Sequence, residues 1–213
     1  MNTTKKLVIA VIALSLALVA FASVSLAWLV SSTQTVTNTF TAGKVNITLD
    51  ESEVDEYGQN PNGVTTVGNE YKLVPGRTYI KDPTVHVQKE SEPCYVYVEV
   101  VNPLAEIIDN VTIENQMIAK GWKRISGSNI WYYIGTGDTV NANGYEVDAR
   151  QAQVDLDVFE YFIINGDVVT RDNIGTWSAR SITITAYAVQ TSTSFANAEA
   201  AWTATFGSST ETN

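Results

Sequence analysis

Apolar and polar residues alternate with a period of two along most of the chain, which predicts extended strands rather than helices. Thr stands at 33, 35, 37, 39 and 41, with Gln34, Val36, Asn38 and Phe40 between them. This β-branched alternation, uninterrupted by a turn residue, predicts a strand over 31–41. Gly43 separates it from a second alternating stretch over 45–49. An acidic run follows (Asp50, Glu51, Ser52, Glu53, Val54, Asp55, Glu56) and ends in the turn cluster Asn60-Pro61-Asn62-Gly63. Pro75-Gly76 is a second turn, leading to strands from Thr78 and over 84–88 and 94–101. Residues 112–120 predict a short amphipathic helix stopped by Gly121. Residues 122–125 and 130–134, joined by Ser126-Gly127-Ser128-Asn129, predict a hairpin. Residues 154–164 read as one strand segment, and 181–190 as another with Ile182, Ile184, Ala186 and Ala188 on one face. Residues 197–206 are the best helix candidate, with Asn197 as N-cap, Glu199 in the first turn and Gly207 as stop. The expected fold is all-β: a jelly-roll-like antiparallel β-sandwich with one or two short helices.

One segment breaks this pattern. Residues 7–30 contain no charged side chain and follow Lys5 and Lys6. A basic start, a long apolar stretch and the small-x-small site Ser25-Leu26-Ala27 predict a signal peptide over 1–27, cleaved near Ala27. The segment is also long enough for a membrane helix, but no basic stop-transfer residue follows until Lys44. The expected organisation is therefore 1–27 signal peptide, 28–43 N-terminal arm, 44–207 β-sandwich domain and 208–213 polar tail. Membrane contact is expected only through the signal peptide before cleavage, with a signal peptidase as partner during export.

Composition narrows the function. The chain has 213 residues, 13 Lys and Arg against 23 Asp and Glu, and one Cys. Net negative charge argues against nucleic acid as a partner, and a single Cys cannot pair within the chain. Cys94 shares a strand face with Val96, Val98 and Val100, so a buried small hydrophobe is expected. The single His, His86, cannot supply the two histidines of H-E-x-x-H. Neither G-x-S-x-G nor another nucleophile setting is present. His86 reads as a surface strand residue, and no catalytic, cofactor-binding or metal-ligating residues are assigned. The run 50–56 is the one place that Ca²⁺ comes into question, although it lacks the order of an EF-hand loop and suits a solvated loop. Trp122, Trp131, Tyr132 and Tyr133 are candidates for a sugar-stacking platform. Their alternation instead puts Trp131 and Tyr133 in the core and Tyr132 outside. Asn46-Ile47-Thr48 and Asn110-Val111-Thr112 match glycosylation sequons, which are common by chance.

Three segments, in order, resemble a known family. The stretch from Asn38-Thr39-Phe40-Thr41 to Leu49-Asp50-Glu51 is similar to the N-terminus of the TasA/camelysin (CalY) family, Gram-positive proteins processed by a SipW-type signal peptidase. The segment Leu73-Val74-Pro75-Gly76-Arg77-Thr78-Tyr79-Ile80-Lys81-Asp82-Pro83 resembles that family's next block. Ile184-Thr185-Ala186-Tyr187-Ala188-Val189-Gln190, with the Ala-rich helix over 198–202, resembles its last. Residues 106–173 match nothing in that pattern. The resemblance implies a secreted jelly-roll matrix protein that polymerises into extracellular biofilm fibres. The protease label attached to camelysin finds no metal-ligand pattern here, and an enzyme is not expected.

The residues themselves suggest how such a fibre would form. Cleavage frees the arm, and an unpaired strand is a template for another chain. Donated to the next subunit's sheet, Thr33, Thr35, Val36, Thr37, Thr39 and Phe40 would form the contact, with Val36 and Phe40 filling pockets. A head-to-tail homopolymer results, because such a contact does not close on itself. The alternatives are an exported carbohydrate- or adhesin-type binding module and, more distantly, a secreted hydrolase.

Overall fold

Residues 43–109 and 112–207 are described by a computed structural model, and among them the chain forms ten strands and three α-helices. The expected signal peptide over 1–27, its expected cleavage position near Ala27, the proposed arm residues Thr33 to Phe40 and the tail 208–213 lie outside the described residues, as do Asn110 and Val111. The strands are β1 (Ile47–Ser52), β2 (Val64–Thr65), β3 (Thr78–Ile80), β4 (Thr84–Val87), β5 (Cys94–Val101), β6 (Trp122–Arg124), β7 (Ile130–Tyr133), β8 (Val154–Asp157), β9 (Tyr161–Ile163) and β10 (Thr183–Gln190). The helices are α1 (Ile113–Ala119), α2 (Ile174–Trp177) and α3 (Ala198–Phe206). No helix among the described residues is long and apolar enough to cross a membrane.

Every strand pairing is antiparallel, and the protein is all-β in class. One four-stranded sheet runs β2-β1-β4-β8, a second runs β10-β5-β7-β6, and β3 pairs with β9. Val85 and Val87 of β4 and Leu156 of β8 join Val96, Val98 and Val100 of β5 in one apolar cluster, so the two large sheets face each other. Cys94 is fully buried among them, as its alternation requires. The hairpin is formed as expected, with Trp122 opposite Tyr133 and Arg124 opposite Trp131.

Helix ends follow local chemistry. Thr112 Oγ1 accepts from Asn115 N at 3.2 Å at the start of α1. Asn197 Oδ1 accepts from Ala200 N at 2.8 Å at the start of α3. Gly121, at φ 86°, ends the α1 turn where a Cβ would stand 2.3 Å from the Gly135 carbonyl oxygen, a position closed to other residues.

Three expectations need correction. Tyr132 is not outside: it is 1% exposed, in a second cluster with Tyr97, Ile130 and Trp202. Alternation correctly sends it to the face opposite Trp131, but α3 covers that face. Residues 154–164 are not one strand. Val158 and Phe159 are consecutive and fully buried, and the chain crosses there from β8, paired with β4, to β9, paired with β3. Finally, the acidic run is only partly a loop, because Asp50, Glu51 and Ser52 complete β1.

Candidate functional site

Val45, Ile47, Leu49 and Glu51 alternate onto the inner face of β1. Strand β1 pairs with β4 over Ile47 to Asp50, whereas β2 covers only Glu51 and Ser52 on its other side. Strand β10 ends the second sheet, bonded to β5 along its whole length. These two edges lie against each other without a ladder between them among the described residues. Ile47, Leu49, Ile182, Ile184, Ala186 and Ala188 point to the core yet are only half-buried, unlike the fully buried valines of β4 and β5. The result is a seam with apolar walls, widening near Glu51, Lys81 and Ile182 into a cavity of about 190 Å³. Beyond it, Tyr71, Lys81, Phe162, Trp177 and Ile182 line a second cavity of about 600 Å³.

The described chain begins at the far end of this seam, at Gly43. A Cβ at Gly43 would stand 2.7 Å from the Gln190 amide, and Glu92 N donates to the Lys44 carbonyl at 3.0 Å. Asn46 N donates to Ser91 Oγ at 3.1 Å. The chain is therefore anchored beside the last residue of β10 before β1 begins.

At the wide end of the seam a charged pair is buried. Lys81 is 7% and Glu51 5% exposed, and Lys81 Nζ lies 2.7 Å from Glu51 Oε2. Asn69 Nδ2 donates to Glu51 Oε1 at 2.9 Å and to the Ser52 carbonyl at 2.8 Å, while Val54 N donates to Asn69 Oδ1 at 2.9 Å. Tyr71 donates to the Ile80 carbonyl and stands edge-on to Tyr79 and Phe162. Burial, then the Glu51 charge, push the Tyr71 hydroxyl well above its usual range. This cluster was missed at the level of sequence, although one signal pointed to it: alternation in β1 places Glu51 on the core face, where a carboxylate must find partners.

The rest of the acidic run disperses. Ser52 donates to Asp82 Oδ2 at 2.7 Å. Asp55 caps its own turn, accepting from Tyr57 N and Gln59 N at 2.9 Å. Among the described residues no group of three or more His, Cys, Asp or Glu side chains is placed to hold a metal ion. Trp122, Trp131 and Tyr132 are buried, so none of them offers a sugar-stacking face.

His86 is less free than a surface strand residue. It sits on the outer face of β4, its Nδ1 2.7 Å from Asp155 Oδ1 on β8. Its Nε2 is 3.1 Å from Asp50 Oδ1 on β1, within ion-pair range but off the line of a hydrogen bond. Burial lowers its pKa, but the hydrogen bond to Asp155 and the nearby carboxylate of Asp50 outweigh it and the net shift is upward. The bond to His86 lowers Asp155 in turn. A raised His contributes stability below its unfolded pKa and loses it as pH rises through the folded value. A lowered Asp contributes above its unfolded pKa and loses it as pH falls through the folded value. The three-strand clasp is thus strongest in mildly acidic solution. Since His86 is the only histidine, the stability difference between the wild type and His86→Gln is expected to shrink as urea titrations move from mildly acidic to alkaline pH. A constant difference would show that the clasp does not titrate.

Cys94 lies in a fully buried strand position, its backbone exchanging hydrogen bonds with Val147. Burial, with a smaller contribution from Glu146, pushes its thiol up to about 12. Thiol reagents are expected to label the unfolded chain promptly and the native protein only as slowly as it opens. Prompt labelling under native conditions would contradict this packing.

No protein-family model, curated protein or solved structure matches the chain.

Proposed function

We propose that this chain is an exported structural subunit that polymerises head-to-tail into extracellular matrix fibres, with residues 28–43 donated to the next subunit. The seam carries the reading: among the described residues two adjacent sheet edges meet without a ladder, and the inward-facing side chains along them are half-buried. A strand with β-branched alternation and two large apolar side chains is the complement such an edge needs. Val36 and Phe40, if fully buried there, would contribute about 1.5–3 kcal/mol each. The two facing four-stranded sheets support a jelly-roll-like sandwich that an added strand completes. Export rests on the charge-free stretch 7–30 and the site near Ala27. The three segments resembling the TasA/camelysin family support the same conclusion. Negative-stain electron microscopy of the secreted protein tests it: filaments are expected at high protein concentration, and monomers under all conditions would overturn it.

A further inference from the structure

The buried cluster at the wide end of the seam has the composition of a self-acylating site. An amine (Lys81 Nζ) and a carboxamide (Asn69) are held on the two oxygens of one carboxylate, at 2.7 Å and 2.9 Å. Two of the three residues are more than nine-tenths buried, and Tyr71 with Tyr79 and Phe162 forms an aromatic wall beside them. We propose that Lys81 and Asn69 condense within the folded protein to an isopeptide bond, with Glu51 as the proton carrier.

The chemistry follows from the contacts. Glu51 Oε2, 2.7 Å from Lys81 Nζ, is placed to take the proton that the amine must shed before it attacks, leaving a neutral amine beside a carboxylic acid as the step begins. A neutral lysine amine is a nucleophile for acyl carbon. The step requires the Lys81 stem to turn Nζ from the carboxylate onto Asn69 Cγ. As the C–N bond forms, charge develops on Asn69 Oδ1, which already accepts from Val54 N at 2.9 Å. Glu51 then protonates Nδ2, the Cγ–Nδ2 bond breaks and ammonia leaves. The new amide keeps one N–H, ammonia carries three hydrogens, and the remaining proton rests on Glu51 until water takes it. No oxidant or co-reactant is needed. Lys81 lines both cavities, which gives ammonia a way out.

The bond would close the loop 69–81, tying the chain ahead of β3 to the residue just after it, at the end of the seam where β2 gives β1 only two residues of pairing. A non-reducible tie fits an exported chain whose single cysteine is buried and unavailable for a disulfide. The inference does not depend on fibre formation and holds equally for a monomer.

Mass spectrometry of the purified, folded protein decides it. The intact mass is expected to fall below the sequence mass by one ammonia. Succinimide formation at Asn62-Gly63, Asn143-Gly144 or Asn165-Gly166 would give the same loss, so the tryptic map is decisive. Trypsin should release a branched species joining peptide 45–72 to peptide 78–89, with no cleavage after Lys81. Lys81→Arg and Asn69→Ala should show the full sequence mass and no branched species, and Glu51→Gln should slow its appearance at least tenfold. Separate linear peptides from the folded wild type, with cleavage after Lys81, would overturn the proposal whatever the variants do. A branched peptide formed equally fast in Glu51→Gln would overturn the role of Glu51.

Discussion

Deleting residues 31–41, or replacing Phe40 by Asp, is expected to leave a folded β protein that forms no filaments. Val36 and Phe40 are the only large apolar side chains in that stretch, and in an extended strand residues four apart share one face. A carboxylate buried at position 40 without a partner costs several kcal/mol, about what the pocket of a single aromatic side chain contributes. The folded domain has its own means of support: β1 is bonded to β4, β4 to β8, and β10 to β5 over eight residues. The deletion should therefore preserve the far-ultraviolet circular dichroism of the β domain while the sedimentation profile collapses to monomer. If the arm instead completes the sheet of its own subunit, the same variants should remain monomeric and melt at lower temperature. Filaments that persist without the arm would remove the donor-strand reading outright.

Trp202→Ala is expected to be the most damaging single truncation outside the inter-sheet core, at about 3–5 kcal/mol of stability. Trp202 is 5% exposed and packs against Tyr97, Tyr187 and Phe206 at ring-centroid distances of 5.1, 5.2 and 4.4 Å. Through it α3 closes the outer face of the β10-β5-β7-β6 sheet, where Tyr97 donates to the Ala198 carbonyl at 2.7 Å and Tyr132 to Glu199 Oε1 at 3.0 Å. Loss of the indole leaves a cavity over those tyrosines and loosens the helix that shields them from water. Urea unfolding with a matched near-ultraviolet dichroism series measures the effect. A change below about 1 kcal/mol, the scale of an ordinary surface substitution, would show that α3 is not part of the cooperative unit.

Strand order along the chain was largely legible because its signals are local. Alternation over 94–101 fixes which side chains of β5 face inward, and the structure buries Cys94, Val96, Val98 and Val100 together. The same holds for the two faces of β10, where Ile182, Ile184, Ala186 and Ala188 turn to the main core and Val189 to the cluster under α3. Asn197 and Gly207 marked the ends of α3 correctly, since a cap bonds within three or four residues of itself. The two-residue strand β2 and the single-turn helix α2 escaped notice. Neither is long enough for a period to register, and each exists because neighbouring structure holds it.

Sequence by itself therefore determined the all-β class, the inward and outward faces of the long strands and the ends of the main helices. Period, propensity and capping act over a few residues and need no partner to be read. Only the tertiary structure decided what covers each face and which distant side chains meet. Tyr132 is buried because α3 returns over its face from 67 residues downstream at Glu199. His86 is clasped by Asp50 and Asp155 because β4 happens to lie between β1 and β8. Glu51 meets Lys81 30 residues away and Asn69 18 residues away. Those encounters follow from strand order and register, which are set by the burial of the whole core rather than by the residues that are brought together.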